Sequence, residues 1–308
     1  LCDSAWETAE FVMKLLGWRI SMSEDKRSPF AGEFNLLGAV VDLTRSTAGL
    51  VAVHNKPSRI ADLQSLVQSI CQSETVALSL LETLKGRLLY AAGHTFGRCS
   101  QLAIQLISRV ARRGPLVVLD EKLKEVINAA LLCLMDAKPR HVSAWSGRPP
   151  LIIFTDGACE EDGLCVTHGA AYYDPESHQA LMFGDYVPTC WTDKWRTEGK
   201  KQLICQAELF PVLVAKNTWS HLISGRAVLW FIDNNSSLAA VIRSYSPVLE
   251  NYELLVINAR LDVELQAMHW YTRVPSKSNL SDDPSRLQFS ELEAKGFKRC
   301  SPRYDLTK

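Results

Sequence analysis

The chain has 308 residues, enough for one large domain or two ordinary ones. Its 47% apolar residues, with eight Trp, ten Phe and eight Tyr, exclude a disordered chain. The 34 basic and 34 acidic residues cancel, with 17 against 14 in residues 1–140 and 17 against 20 in 141–308. That excludes the bulk positive field of a strong nucleic-acid binder, so such a partner must be met by local basic groups and metal ions. No apolar run reaches the roughly 18 residues of a membrane span, and no basic-then-apolar leader opens the chain, so no membrane partner is expected. Nine cysteines without CxxC pairs or zinc spacing read as reduced thiols of an intracellular protein, in cytoplasm or nucleus. The chain starts with Leu1 and not Met, and it is expected to be a piece of a longer product.

Residues 4–17 predict a helix, with Trp6, Phe11, Leu15 and Leu16 at helical spacing and Gly17 as a stop. A turn and a strand pair are expected around 36–43. A second helix spans 57–71, with Ile60, Leu63, Leu66, Val67 and Ile70 on one face. Further helices are expected from 76 towards 89, over 99–113 and over 121–135, with Gly93 and Gly97 as punctuation. This half is mostly helical. The segment 137–150 (AKPRHVSAWSGRPP) has three prolines and no apolar periodicity, and reads as a linker.

After it the pattern changes. Residues 151–154 form a short apolar strand that runs into Thr155, Asp156 and Gly157. Residues 166–173 and 179–186 predict a hairpin turning through 174–177. A helix at 204–220 follows, then a strand at 227–232 ending in Asp233, helices at 236–244 and 248–261, a strand at 266–274 and a last short helix. This order predicts a mixed α/β sheet with helical cover.

Asp156 and Asp233 both follow apolar strands. If those strands are parallel neighbours, the two carboxylates stand side by side at the C-terminal rim, where α/β proteins place their sites. Glu208 lies on a helix face beside Leu209, Val212 and Leu213, where an acid is costly unless a cation compensates it. Asp282 opens the last helix. Taken singly, each is equally a turn, cap or solvated residue. Together, four carboxylates at one rim make a site for two divalent ions that activate water and stabilise a leaving oxygen. Hard oxygen ligands point to Mg²⁺, with Mn²⁺ as a substitute.

The segments FTDGAC (154–159), QAEL (206–209), FIDNNSSLAAVIRS (231–244) and VPSKSNLSDDPSR (274–286) resemble the ribonuclease H domain of retroelement reverse transcriptases, the last one in its DIRS-like or LTR-type form. The resemblance implies a ribonuclease H-like mixed five-stranded sheet with helices over 151–290, followed by a tail at 291–308. It implies that Asp156, Glu208, Asp233 and Asp282 hold the metals, the spacing from Asn279 favouring Asp282 over Asp283. The implied activity is endonucleolytic cutting of the RNA strand of an RNA–DNA hybrid. Residues 15–30, 34–43 and 84–98 are similar to the end of the palm and the thumb and connection of such enzymes, which places a thumb/connection-like region over 1–136. The Tyr-x-Asp-Asp motif of their polymerase site is absent from residues 1–150, so polymerisation is not expected, and a polymerase region missing from this chain would precede it.

Two departures bear on activity. Arg273 stands where related domains often carry a His that assists turnover, and Pro211 interrupts the helix of Glu208. The alternative reading is an inactive remnant that binds nucleic acid or serves as a structural connection. Trp191 and Trp195, interleaved with Lys194, Arg196, Lys200 and Lys201, read either as a hybrid-contacting loop or as a partly buried Trp loop. Arg273 and Asn279 are further candidates for nucleic-acid contact. An exonuclease of this fold wants Asp-x-Glu on its first strand, and an integrase lacks the middle Glu, so both fit less well.

Overall fold

A computed structural model of the chain describes residues 2–18, 31–111, 114–143, 147–160, 165–196 and 203–306. In chain order it begins with helix α1 (Cys2–Leu15), strands β1 (Glu33–Leu36), β2 (Ala39–Asp42) and β3 (Leu50–Asn55), and helix α2 (Pro57–Cys71). Strand β4 (Thr75–Ala77), helices α3 (Leu78–Ala92) and α4 (Gln101–Val110), strand β5 (Leu116–Val118), helix α5 (Glu121–Asp136) and strand β6 (Arg140–Ser143) follow. Three long strands come next, β7 (Leu151–Glu160), β8 (Cys165–Asp174) and β9 (Gln179–Tyr186), then helices α6 (Thr189–Trp195), α7 (Ile204–Thr218) and α8 (Ser220–Ile223). Strand β10 (Ala227–Ile232), helices α9 (Asn235–Arg243) and α10 (Asn251–Leu265) and strand β11 (Met268–Arg273) precede α11 (Asp282–Ser285), α12 (Ser290–Ala294) and β12 (Lys298–Arg299).

Two compact units result, Leu1–Arg59 with Pro139–Ser146, and Ile60–Lys138 with Gly147–Lys308. The first holds an antiparallel sheet in the order β1-β2-β3-β6. Its first hairpin turns on Leu37 and Gly38, both at positive φ (50° and 85°), the geometry a two-residue loop needs to follow strand twist. The segment 137–150, expected as a linker, contains β6, which pairs antiparallel with β3. The residues of β6, RHVS, are half-buried or exposed, so this short edge strand leaves no apolar alternation to read. Of the palm-like stretch 15–30, residues 19–30 lie outside the described residues, as do Arg112 and Arg113 of the fourth expected helix.

In the second unit, α2 to α5 bury Leu63, Ile70, Leu84, Leu88, Ile107 and Ile127 in a core continuous with that of the larger sheet. α10 packs on both α5 and α7. The change of pattern at 137–150 therefore marks no division of this core. The larger sheet has the order β11-β10-β7-β8-β9-β12. β7, β8 and β9 are antiparallel neighbours, while β10 and β11 lie parallel on the other side of β7. Three meandering strands, two parallel strands and flanking helices make the ribonuclease H-like mixed sheet implied by the resemblance. β12 adds a sixth strand of two residues against β9. Of the stretch 291–308, expected as a tail, residues 291–306 are built into the same unit. Leu292 and Leu306 are buried, and the Asn217 side-chain amide donates to the Arg303 carbonyl (3.1 Å) and to Asp305 (2.8 Å). No helix among the described residues is long and apolar enough to cross a membrane.

Candidate metal centre

The parallel register of β10 on β7 sets Ile232 opposite Thr155, so the next residues of the two strands are Asp233 and Asp156. The sequence expectation of adjacent carboxylates rests on this pairing. Asp156 is not at a strand end, however. β7 continues to Glu160 because its antiparallel partner β8 continues beside it, with Asp156 opposite Gly169. Glu208 comes from α7, whose residues Gln206 to Lys216 are all buried. Asp156, Glu208 and Asp233 each offer an oxygen within 4.8 Å of the others.

Asp156 and Glu208 are buried and Asp233 is half-buried. Burial pushes the Asp156 carboxyl up to about 7; the Ser285 hydroxyl opposes this, while the charges of Asp233 and Asp282 add to it. Burial likewise pushes Glu208 up to about 9, with the charges of Asp156 and Asp233 adding to the rise. Oε2 of Glu208 and Oδ1 of Asp233 are buried with no hydrogen-bond partner. Three carboxylates at this spacing, two of which hold a buried oxygen without a partner, fit a hard divalent cation.

Glycine brings the elements this close. A Cβ on Gly157 would meet the Ala207 carbonyl at 2.1 Å, so α7 rests on bare backbone at the residue after Asp156. Pro211 has no N–H to return to that carbonyl four residues back, so its place inside α7 suits the contact. On the other side of the sheet Gly169 and Gly184 are cross-strand partners, and a Cβ on either would meet the backbone of Pro284 or Ser285 at 2.6 Å or less. α11 lies in this groove, which brings the Ser285 hydroxyl to 2.5 Å from Asp156 Oδ2.

The fourth expected acid is placed differently. Asp282 does not belong to the close group of three. Its side chain is 43% exposed and its Oδ1 lies 3.3 Å from Arg286 Nε. Its charge still reaches Asp156. Asp283 interacts with Glu291 and Lys295. Asn279 is a buried framing residue. Its amide donates to the Thr155 carbonyl (3.3 Å), and its Oδ1 accepts from the Ser281 hydroxyl (2.7 Å). Arg273 is exposed and is paired in register with Ile232, one residue before Asp233.

The aromatic segment is a helix, α6, and not a loop. Trp191 and Trp195 are buried, each with its ring 5.5 Å from Phe210, and so offer no stacking surface. The helical spacing of the two Trp residues in α6 is a packing pattern. Lys194 sits over the Trp191 ring and pairs with Glu253 at 2.7 Å, while Arg196 pairs with Asp193 at 3.3 Å. Lys200 and Lys201 lie outside the described residues.

Three buried or capping residues are not evident from the sequence. Ser285 is one, although it is part of the Ser-Arg that closes the last motif. Asn234 is another: it caps α9 by accepting from the Ser236 and Ser237 amides, and its side chain also hydrogen-bonds Glu208. An Asn just before a helical run is the sequence sign of such a cap. The third lies outside the metal group: Lys216, buried on the same helix as Glu208, is bonded to Asn258 and Asp262.

Several solved structures are similar to the chain. LC11 ribonuclease H1 in complex with an RNA/DNA hybrid is 14% identical, over 46% of this chain and 99% of that one, with a TM-score of 0.36. Ribonuclease H1 from the halophilic archaeon Halobacterium salinarum is 12% identical, over 44% and 97%, with a TM-score of 0.34. The foamy viral protease-reverse transcriptase in complex with an RNA/DNA hybrid is 14% identical, over 91% of this chain and 35% of that one, with a TM-score of 0.34. No family model and no curated protein matches the chain.

Proposed function

We propose that the chain is a divalent-metal-dependent endonuclease for the RNA strand of RNA–DNA hybrids, the ribonuclease H part of a DIRS-like or LTR-type reverse transcriptase. In this reading residues 1–136 are its palm-end and thumb/connection-like region. The observation that carries it is the group Asp156, Glu208 and Asp233, in which two buried oxygens lack any partner. These three residues would hold the metal, with Asp282 as a fourth ligand, and two Mg²⁺ or Mn²⁺ ions would supply Lewis acidity and an activated water. The chain's own part is placement. Gly157 lets α7 bring Glu208 to the rim, Ser285 and Asn279 fix Asp156 and its strand, and Asn234 steadies Glu208.

The test uses the full chain, because residues 60–138 share a core with the sheet. With Mg²⁺ it is expected to cut a labelled RNA–DNA hybrid and leave duplex DNA intact, and Asp156→Asn is expected to be inert. The place of Asp282 beside Arg286, and Arg273 where related domains often carry a His, favour the second reading of a non-catalytic nucleic-acid-binding or connection module. Wild-type protein inert in both Mg²⁺ and Mn²⁺ would establish that reading.

A further inference from the structure

We propose that Arg286 is a clasp on Asp282, released by the phosphate backbone of the substrate, so that the site gains its fourth carboxylate when nucleic acid is bound; this rests on the metal-dependent nuclease reading. The guanidinium of Arg286 joins two acids from different elements. Its Nε lies 3.3 Å from Asp282 Oδ1 on α11, and its Nη1 lies 3.6 Å from Oε1 of Glu160, the last residue of β7. Asp282 is near enough for its charge to act on Asp156, yet it stands outside the group of three.

The backbone under Asp282 has little freedom. α11 is seated against Gly169 and Gly184, and the Ser285 hydroxyl is anchored on Asp156. What remains adjustable is the half-exposed Asp282 side chain and the arginine that holds it. Arg286, Asp282 and Glu160 have 51%, 43% and 62% of their side-chain surface exposed. Ion pairs this wet are weak and exchange readily. A phosphodiester offers the planar guanidinium two oxygens in fork geometry, a better partner than a single carboxylate oxygen at 3.3 Å. Once Arg286 turns to phosphate, Asp282 loses its counter-charge at the mouth of a site rich in metal-seeking oxygens. Metal affinity and hybrid affinity then rise together, as linkage requires.

The experiment is Mn²⁺ titration of the full chain, read by electron paramagnetic resonance of free Mn²⁺. It is run alone and with saturating uncleavable hybrid carrying a 2′-O-methyl RNA strand, with the Mn²⁺ taken up by hybrid alone subtracted. Wild type is expected to bind Mn²⁺ roughly twofold to fivefold more tightly with hybrid, the range that releasing an exposed ion pair supports. Arg286→Ala is expected to show that tighter affinity without hybrid and to gain nothing further from it. The gain is expected to vanish in Asp282→Asn/Arg286→Ala. An equal gain from Arg286→Ala in the Asp282→Asn background would reduce the arginine to a repelling charge and overturn the clasp. So would a hybrid effect that survives unchanged in Arg286→Ala. Wild type that takes up no Mn²⁺ under either condition would remove the metal reading itself, and the clasp with it.

Discussion

Helix α7 contributes to two buried clusters of charge, Lys216 to one and Glu208 to the other. Around Lys216 the charges meet inside the protein. Its ammonium donates to Asn258 Oδ1 (2.6 Å), to the Tyr271 hydroxyl (2.8 Å) and to the Asp262 carboxylate. His269 accepts from Trp230 Nε1 at 2.9 Å and turns its other nitrogen to Asp262 at 3.3 Å, and burial holds its pKa well below the ordinary value. One lysine, with all three donors used, offsets one aspartate. The Glu208 cluster brings three carboxylates together, with no cation in the group and two oxygens left bare. Burial of charge thus marks no site by itself; a site is marked where the protein leaves the charge uncompensated.

The largest effect expected from this contrast is on catalysis. Asp156→Asn or Glu208→Gln should lower Mg²⁺-dependent hybrid cleavage by roughly 10³-fold or more, measured on a labelled hybrid. The same substitutions should raise the melting temperature of metal-free protein, because each removes one of three clustered carboxylates that burial and mutual repulsion disfavour. A variant that lost both cleavage and stability would break the contrast.

Lys216→Met should do the reverse. It strands Asp262 without a cation and should cost about 3–5 kcal/mol in urea unfolding, with Lys216→Met/Asp262→Asn recovering much of the loss. Next comes pH. The Asp156 and Glu208 carboxyls have folded-state pKa values, about 7 and about 9, above the value of about 4 in an unfolded chain. A raised acid stabilises least when ionised, so their contribution to the metal-free fold is intact below about pH 4 and is lost as pH rises towards 9. Calorimetry should therefore show Mg²⁺ raising the melting temperature more at pH 8 than at pH 5. An equal rise at both would mean that the ion binds elsewhere. The smallest effect is expected on the surface. Lys194→Ala and Arg196→Ala should change hybrid affinity by about twofold or less in a filter-binding titration, because both cations already have acidic partners.

Much of this could be read from the sequence wherever burial writes itself into apolar periodicity. The apolar face of α2 and the continuous apolar run of β10, which ends abruptly as a buried parallel strand does, match the observed bounds of both elements and put Asp233 beside Asp156. Other features depend on partners distant in sequence. β7 outruns its apolar run because β8 extends it, and β6 exists only because β3 offers an edge. Lys216 gave no sign of burial, since a lysine reads as solvated until Asp262, Asn258 and Tyr271 are brought around it. Trp191 and Trp195 among cations suggested a binding loop, and only the placement of Phe210 against them reveals a core. Asp282 was found by motif spacing, but spacing carries no rotamer, and its engagement with Arg286 is a matter of side-chain geometry.

The route of the chain through its smaller sheet bears on the order of assembly. β3 ends at Asn55 and its second neighbour β6 begins at Arg140, so residues 56–139 must leave the ribosome before that ladder can close. At roughly 5–20 residues per second this is a delay of several seconds, during which the β3 edge is open to pairing with other strands. A slow translation step placed once β6 has cleared the ribosome would favour its correct closure.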